Sequence, residues 1–126
     1  MNLPAQALAI VAALVHLWMF TMESVRFRRP DVHARFEVRV ADVGVVRPWA
    51  FHQGVYNALL AVQMLAGLAA VHEGAGAAGR ALVLASGASM LVASLALIVF
   101  DPRRSRIKGL IGQGAPALAT LVATLL

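Results

Sequence analysis

Four apolar runs fill most of this 126-residue chain and constrain it more than any other feature. A helix needs about 20 apolar residues to cross a hydrocarbon layer about 30 Å thick. The runs extend from about Leu3 to Met22, Trp49 to Val71, Ala81 to Phe100 and Ile107 to Leu126. At 60% hydrophobic and 13% charged residues, the chain lies well outside the soluble norm of about 45–50% and about 25%. Such hydrophobicity excludes disorder. The lack of cysteine excludes a disulfide scaffold or a thiolate metal site. The expected fold is an all-α membrane protein, a four-transmembrane-helix bundle forming one integral domain over residues 1–126. The first run lacks a basic leader and carries His16 at its middle, so a retained helix is expected rather than a cleaved signal.

The charges set an orientation. Ten of the 11 basic residues lie in two connections: Arg26, Arg28, Arg29, Arg35, Arg39 and Arg47 in the first, Arg103, Arg104, Arg106 and Lys108 in or just after the second. Only Arg80 lies on the opposite side. The positive-inside rule then places both basic connections in the cytoplasm and both termini outside. The net charge of +5 is on this reading topogenic and directed at anionic lipid headgroups. It does not imply a nucleic-acid partner, since no nucleic-acid-binding module is present.

The connections and packing faces also have readable patterns. The glycine-rich hairpin from His72 to Arg80 makes the second and third helices antiparallel neighbours. Pro30 and Asp31 suit a helix start, and Val32, Phe36 and Val40 recur at four-residue intervals. Together they suggest a short amphipathic cytoplasmic helix on the membrane surface between the first two spans; a solvated loop fits equally well. Ala85, Ser89 and Ala93 form a small-residue stripe suited to close helix packing or to a homodimer.

Polar side chains within spans are costly and therefore informative. His16 and Glu23 are seven residues apart, two turns along one helical face. Gln53 and Asn57 are four apart, as are His52 and Tyr56 beside them. Gln113 marks the last helix. At 1.5 Å per residue, these groups, together with Ser94, fall in one slab of the cytoplasmic half, His16 about 10 Å deeper than Glu23. That segregation suggests a polar cavity near the inner leaflet. Each residue also has a structural reading: the amides as interhelical hydrogen bonds, Tyr56 as an interfacial aromatic, His52 as a solvated side chain. An imidazole and a carboxylate, by contrast, are a natural proton donor and acceptor. His16, His52 and Glu23 lack a metal-binding spacing, so neither metal nor cofactor is expected.

These residues carry a family resemblance. In HLWMFTMESVRF the pattern of a His, a Glu seven on and an aromatic four further falls on His16, Glu23 and Phe27. HQGVYNALLAV is similar to an Asn-Gln-Gly-x-Tyr-Asn motif at Gln53, Gly54, Tyr56 and Asn57, with His52 in place of the usual Asn. GQGAPALATL resembles a Gln-Gly-x-Pro-Ala pattern at Gln113, Gly114, Pro116 and Ala117. Across nearly its whole length the chain resembles the small four-span bacterial membrane proteins called domain of unknown function 1304. That resemblance implies the fold and the location of the site; epimerase-like labels on some members imply an activity only loosely.

Two functions from different classes follow. One is a cofactor-independent, isomerase-type enzyme, moving a proton on a lipophilic small molecule. His16 and Glu23 would be catalytic, with Gln53, Tyr56, Asn57, Gln113 and His52 binding substrate. The other is a non-enzymatic small-molecule binder, carrier or membrane assembly subunit. A dead-ended pocket beside His16 and Glu23 would favour chemistry, and a continuous polar path past Gln63 and Gln6 would favour transport.

Overall fold

The computed structural model describes all residues, Met1 to Leu126, and it is helical throughout, without strands. Helix α1 spans Leu3–Phe20 and continues into a π-helical turn at Thr21–Val25. A one-turn helix, α2, covers Pro30–His33 and is followed by two 3-10 turns, Ala34–Phe36 and Val40–Asp42. The long helix α3 runs Val43–His72, α4 runs Gly76–Ala96, and α5 runs Arg104–Leu125. Three segments are long and apolar enough to cross a membrane: Leu3–Val25, Val40–His72 and Gly76–Ala96.

The boundaries depart from expectation at informative places. The second apolar run begins about six residues early, because α3 continues back through Pro48 to Val43. Its 30 residues measure about 45 Å, more than the hydrocarbon thickness. The third run is shifted toward the N-terminus, starting at Gly76. It ends at Ala96, where the amides of Leu97, Ile98 and Val99 each reach back three residues in tightened turns ahead of Pro102. The fourth run forms a helix, but Arg104, Arg106 and Lys108 open it and three glycines and Pro116 thin its apolar content.

The expected amphipathic helix over Val32, Phe36 and Val40 does not form. The chain leaves the helical region at Glu37, whose φ of 59° is left-handed. The amide of Val38 closes the turn onto the His33 carbonyl at 3.0 Å. The His33 ring holds the Val38 carbonyl at 2.8 Å through Nδ1. A carbonyl only accepts, so Nδ1 carries the hydrogen. Val32 and Phe27 are buried, Phe36 stacks on Phe27 with ring centroids 5.8 Å apart, and Val40 is 78% exposed. Packing of these three apolar residues replaces the continuous stripe, since a helix this short has little stability of its own.

The chain divides into two compact units, Met1–Val15 with Leu60–Leu126, and His16–Leu59. In the first, α4 packs along α5. Its buried face is Gly79, Val83, Ser86, Gly87, Met90 and Ser94. Ala85, Ser89 and Ala93, the expected packing stripe, face outward. The inward face has the backbone-approach residues: a Cβ at Gly79 would lie 2.5 Å from the Gly67 carbonyl oxygen, and one at Gly114 2.6 Å from Ser94 Oγ. Small residues admit close helix contact in lipid, and glycine admits the closest. The turn from α3 to α4 is held by Gly74 at φ 89°, with the Ala75 amide reaching the Ala70 carbonyl at 2.9 Å, a glycine helix stop. At the other end Asn2 Nδ2 donates to the Ala123 carbonyl at 3.1 Å, tying the N-terminus to α5.

Candidate functional site

The second unit, His16–Leu59, contains most of the polar residues of interest and is best built from the π-helical turn. Thr21 Oγ1 donates to the Leu17 carbonyl at 3.0 Å, a side-chain bond that competes with the helix ladder. The Arg26 amide then reaches five residues back to the Thr21 carbonyl at 2.9 Å. Such π-turns are rare and gather at functional positions. Here the turn carries Met22 and Glu23, both buried.

Helix α3 meets this turn with the face formed by Gly54 and Asn57. Asn57 is 3% exposed and Glu23 8%. Asn57 Nδ2 donates to Glu23 Oε2 at 2.7 Å, a bond between residues 34 apart in sequence. Beside it, Ser24 Oγ donates to the Phe51 carbonyl at 2.9 Å. The approach depends on Gly54. A Cβ there would overlap Ser24 Oγ and lie 3.0 Å from the Ser24 amide nitrogen and 3.1 Å from Glu23 Cβ.

Among the residues expected at a site, Glu23 and Asn57 are therefore brought together. His16, on the same helix as Glu23 and two turns before it, is almost fully buried. Gln53, although four residues from Asn57, is exposed, because the buried face of α3 advances from Gly54 to Asn57, not from Gln53. His52 and Tyr56 pack edge to face at 4.9 Å on an exposed surface of the helix. Gln113 is half-buried and belongs to the other unit. Ser94 bonds its own helix, donating to the Leu91 carbonyl at 2.7 Å. No group of three or more His, Asp or Glu side chains is arranged to hold a metal ion.

Two contributors, Ser24 and His33, were not singled out from sequence, and Gly54 was named only as a motif position without its packing role. A glycine one helical turn before an intramembrane amide was the available signal for Gly54, since it lets another backbone approach that amide. Nothing in the spacing marked Ser24 or His33, whose partners are backbone carbonyls.

A cavity of about 320 Å³ opens in the same unit, lined by Arg28, Val43, Gly44, Arg47, Pro48 and Phe51. The acids nearby in sequence are already committed. Asp31 is hydrogen-bonded by Arg29, which holds its carboxyl below the usual range, and Asp42 pairs with Arg39 at 2.8 Å.

A model of the family described as "Protein of unknown function (DUF1304)" matches residues 10–125. No curated protein and no solved structure matches the chain.

Proposed function

The chain belongs to the DUF1304 family of proteins of unknown function, and from that premise we propose that it is an integral membrane protein performing proton transfer on a lipophilic small molecule. The observation that carries this reading is the buried Glu23–Asn57 hydrogen bond on a π-helical turn. Stability is a poor reason for it. Interhelical hydrogen bonds in membranes contribute on average about 0.6 kcal/mol. An acid at the centre of a span costs about 2.5–3.5 kcal/mol, several times that gain, and less toward the boundary.

The chemistry assigned to the site is modest. Asn57 fixes one carboxyl oxygen of Glu23 and thereby the orientation of the other. In an isomerisation that second oxygen, Oε1, takes a proton from a carbon acid and returns it to a neighbouring carbon; in an epimerisation Glu23 takes a proton from one face of a carbon and His16 delivers one to the opposite face, and neither reaction needs a redox partner. Gln53, Tyr56 and His52 remain candidates for substrate contact within the same unit. The alternative, a non-enzymatic binder, carrier or assembly subunit, draws support from the arginine-lined cavity, which needs no chemistry to be useful.

The four-span arrangement belongs to this proposal. Helix α5 crosses as the fourth span, the basic connections lie in the cytoplasm against anionic headgroups, and the membrane is the bacterial cytoplasmic one. The outward stripe Ala85, Ser89 and Ala93 is where a homodimer would meet.

The test is solvent isotope exchange. Membranes containing the protein are incubated in heavy water and the extracted lipophiles weighed by mass spectrometry. One class of molecule gains deuterium with the natural protein and not with Glu23→Gln. No enrichment in any extracted class, or equal enrichment with the variant, overturns the proton-transfer reading.

A further inference from the structure

The cavity at the start of α3 pairs two kinds of wall. Arg28 and Arg47 are the cationic residues of its lining, while Val43, Pro48 and Phe51 are apolar. Two nearby arginines are neutralised locally: Arg29 by Asp31 at 3.1 Å, Arg39 by Asp42 at 2.8 Å. Arg28 and Arg47 have no carboxylate partner of this kind, although Asp31 lies three residues from Arg28 and Asp42 five from Arg47. Two unopposed cations beside one cavity repel each other and attract an anion.

The position of the cavity narrows the choice of anion. Trp49, two residues beyond Arg47, is 74% exposed, as suits an aromatic at the headgroup level. Phe51 follows, 52% exposed, leading from the cavity toward the apolar part of α3. A charged head in the cavity would therefore have hydrocarbon beside it. Guanidinium forks match phosphate oxygens in geometry as well as charge.

We propose that the Arg28–Arg47 cavity is a binding site for the phosphate group of an anionic amphiphile, held by the two guanidinium groups with its apolar chain beside Phe51. The site is independent of the proton-transfer reading and involves neither Glu23 nor Asn57.

The test uses the full chain in a neutral detergent and native mass spectrometry. Three probes are added separately: phosphatidylglycerol, phosphatidylcholine and inorganic phosphate. The expected result is one retained phosphatidylglycerol, with phosphatidylcholine and inorganic phosphate held at least tenfold more weakly. Arg28→Gln and Arg47→Gln each weaken retention at least about tenfold, as the loss of one charge-assisted hydrogen bond should. Arg35→Gln and Arg80→Gln, which alter exposed charge elsewhere, leave it unchanged. Equal loss from all four variants would reduce the effect to general basicity and overturn the site. Equal binding of inorganic phosphate would overturn the amphiphile assignment, and retention of phosphatidylcholine as strongly as phosphatidylglycerol would overturn the charge argument. Glu23→Gln should bind the lipid normally, so failure here leaves the isotope-exchange test standing on its own result.

Discussion

Two atoms, Asn57 Nδ2 and Glu23 Oε2 at 2.7 Å, concentrate the functional argument at the scale of the residue. Substituting either partner has a distinct expected outcome. Glu23→Gln keeps an oxygen that accepts from Asn57, so unfolding in detergent changes by less than about 1 kcal/mol. Deuterium exchange nevertheless falls at least about 100-fold, the lower range for loss of an acid–base group. Asn57→Leu removes the donor and leaves a buried carboxyl oxygen without its partner, costing about 1–3 kcal/mol in thermal or denaturant unfolding. Undiminished deuterium exchange in a folded Asn57→Leu protein would remove the amide from the site. The polar pairings visible in the sequence were only partly informative here. Four-residue spacing joined Gln53 to Asn57, but the inward face of α3 passes through Gly54, so only Asn57 is buried.

At the scale of the element, glycine determines which surfaces meet. Gly54→Ala would gain helix propensity of up to about 1 kcal/mol, yet its Cβ overlaps Ser24 Oγ. Overpacking costs about 1–3 kcal/mol and should prevail, lowering the melting temperature. Adding Ser24→Ala removes the nearest obstacle and should recover part of the loss, a non-additivity expected of residues in contact. Helix α4 offers a second contrast. Gly87 sits against Leu121, where a Cβ would approach Leu121 Cδ2 to 3.2 Å. Gly87→Leu should lower stability by more than about 1 kcal/mol, whereas Ala85→Leu on the outward stripe should stay within about 0.5 kcal/mol. Equal effects would mean that the packing face has been assigned to the wrong side of α4. Repeats of small residues at four-residue spacing mark a face capable of close approach. They do not say which of two such faces on one helix is used, because Gly79, Val83, Gly87 and Met90 keep nearly the same period.

At the scale of the whole molecule, the prediction concerns topology. The natural chain has no cysteine, so single cysteines introduced at Glu37, Pro102, Ala75 and Leu126 can be labelled in intact cells with a maleimide that does not cross membranes. The four-span arrangement predicts labelling at 75 and 126 and protection at 37 and 102. Protection at 126 with labelling at 75 would mean that α5 does not cross, leaving the three segments whose length and apolarity already suffice.

Sequence by itself determined the helical class, the apolar segments and the concentration of cations in two connections. Those properties are sums over many residues, each small and none dependent on a distant partner. It also marked His16, Glu23 and Asn57 as polar groups out of place in apolar surroundings. What the tertiary structure alone decided were the phases and the breaks. The π-turn lengthens the end of α1, His33 closes a turn where periodicity promised a continued helix, and Gly54 admits Ser24 and Glu23 to the face of α3. The first two rest on side-chain bonds to carbonyls within the same turn and the third on a close approach between segments far apart in the chain; hydrophobic periodicity is averaged over whole turns and registers neither.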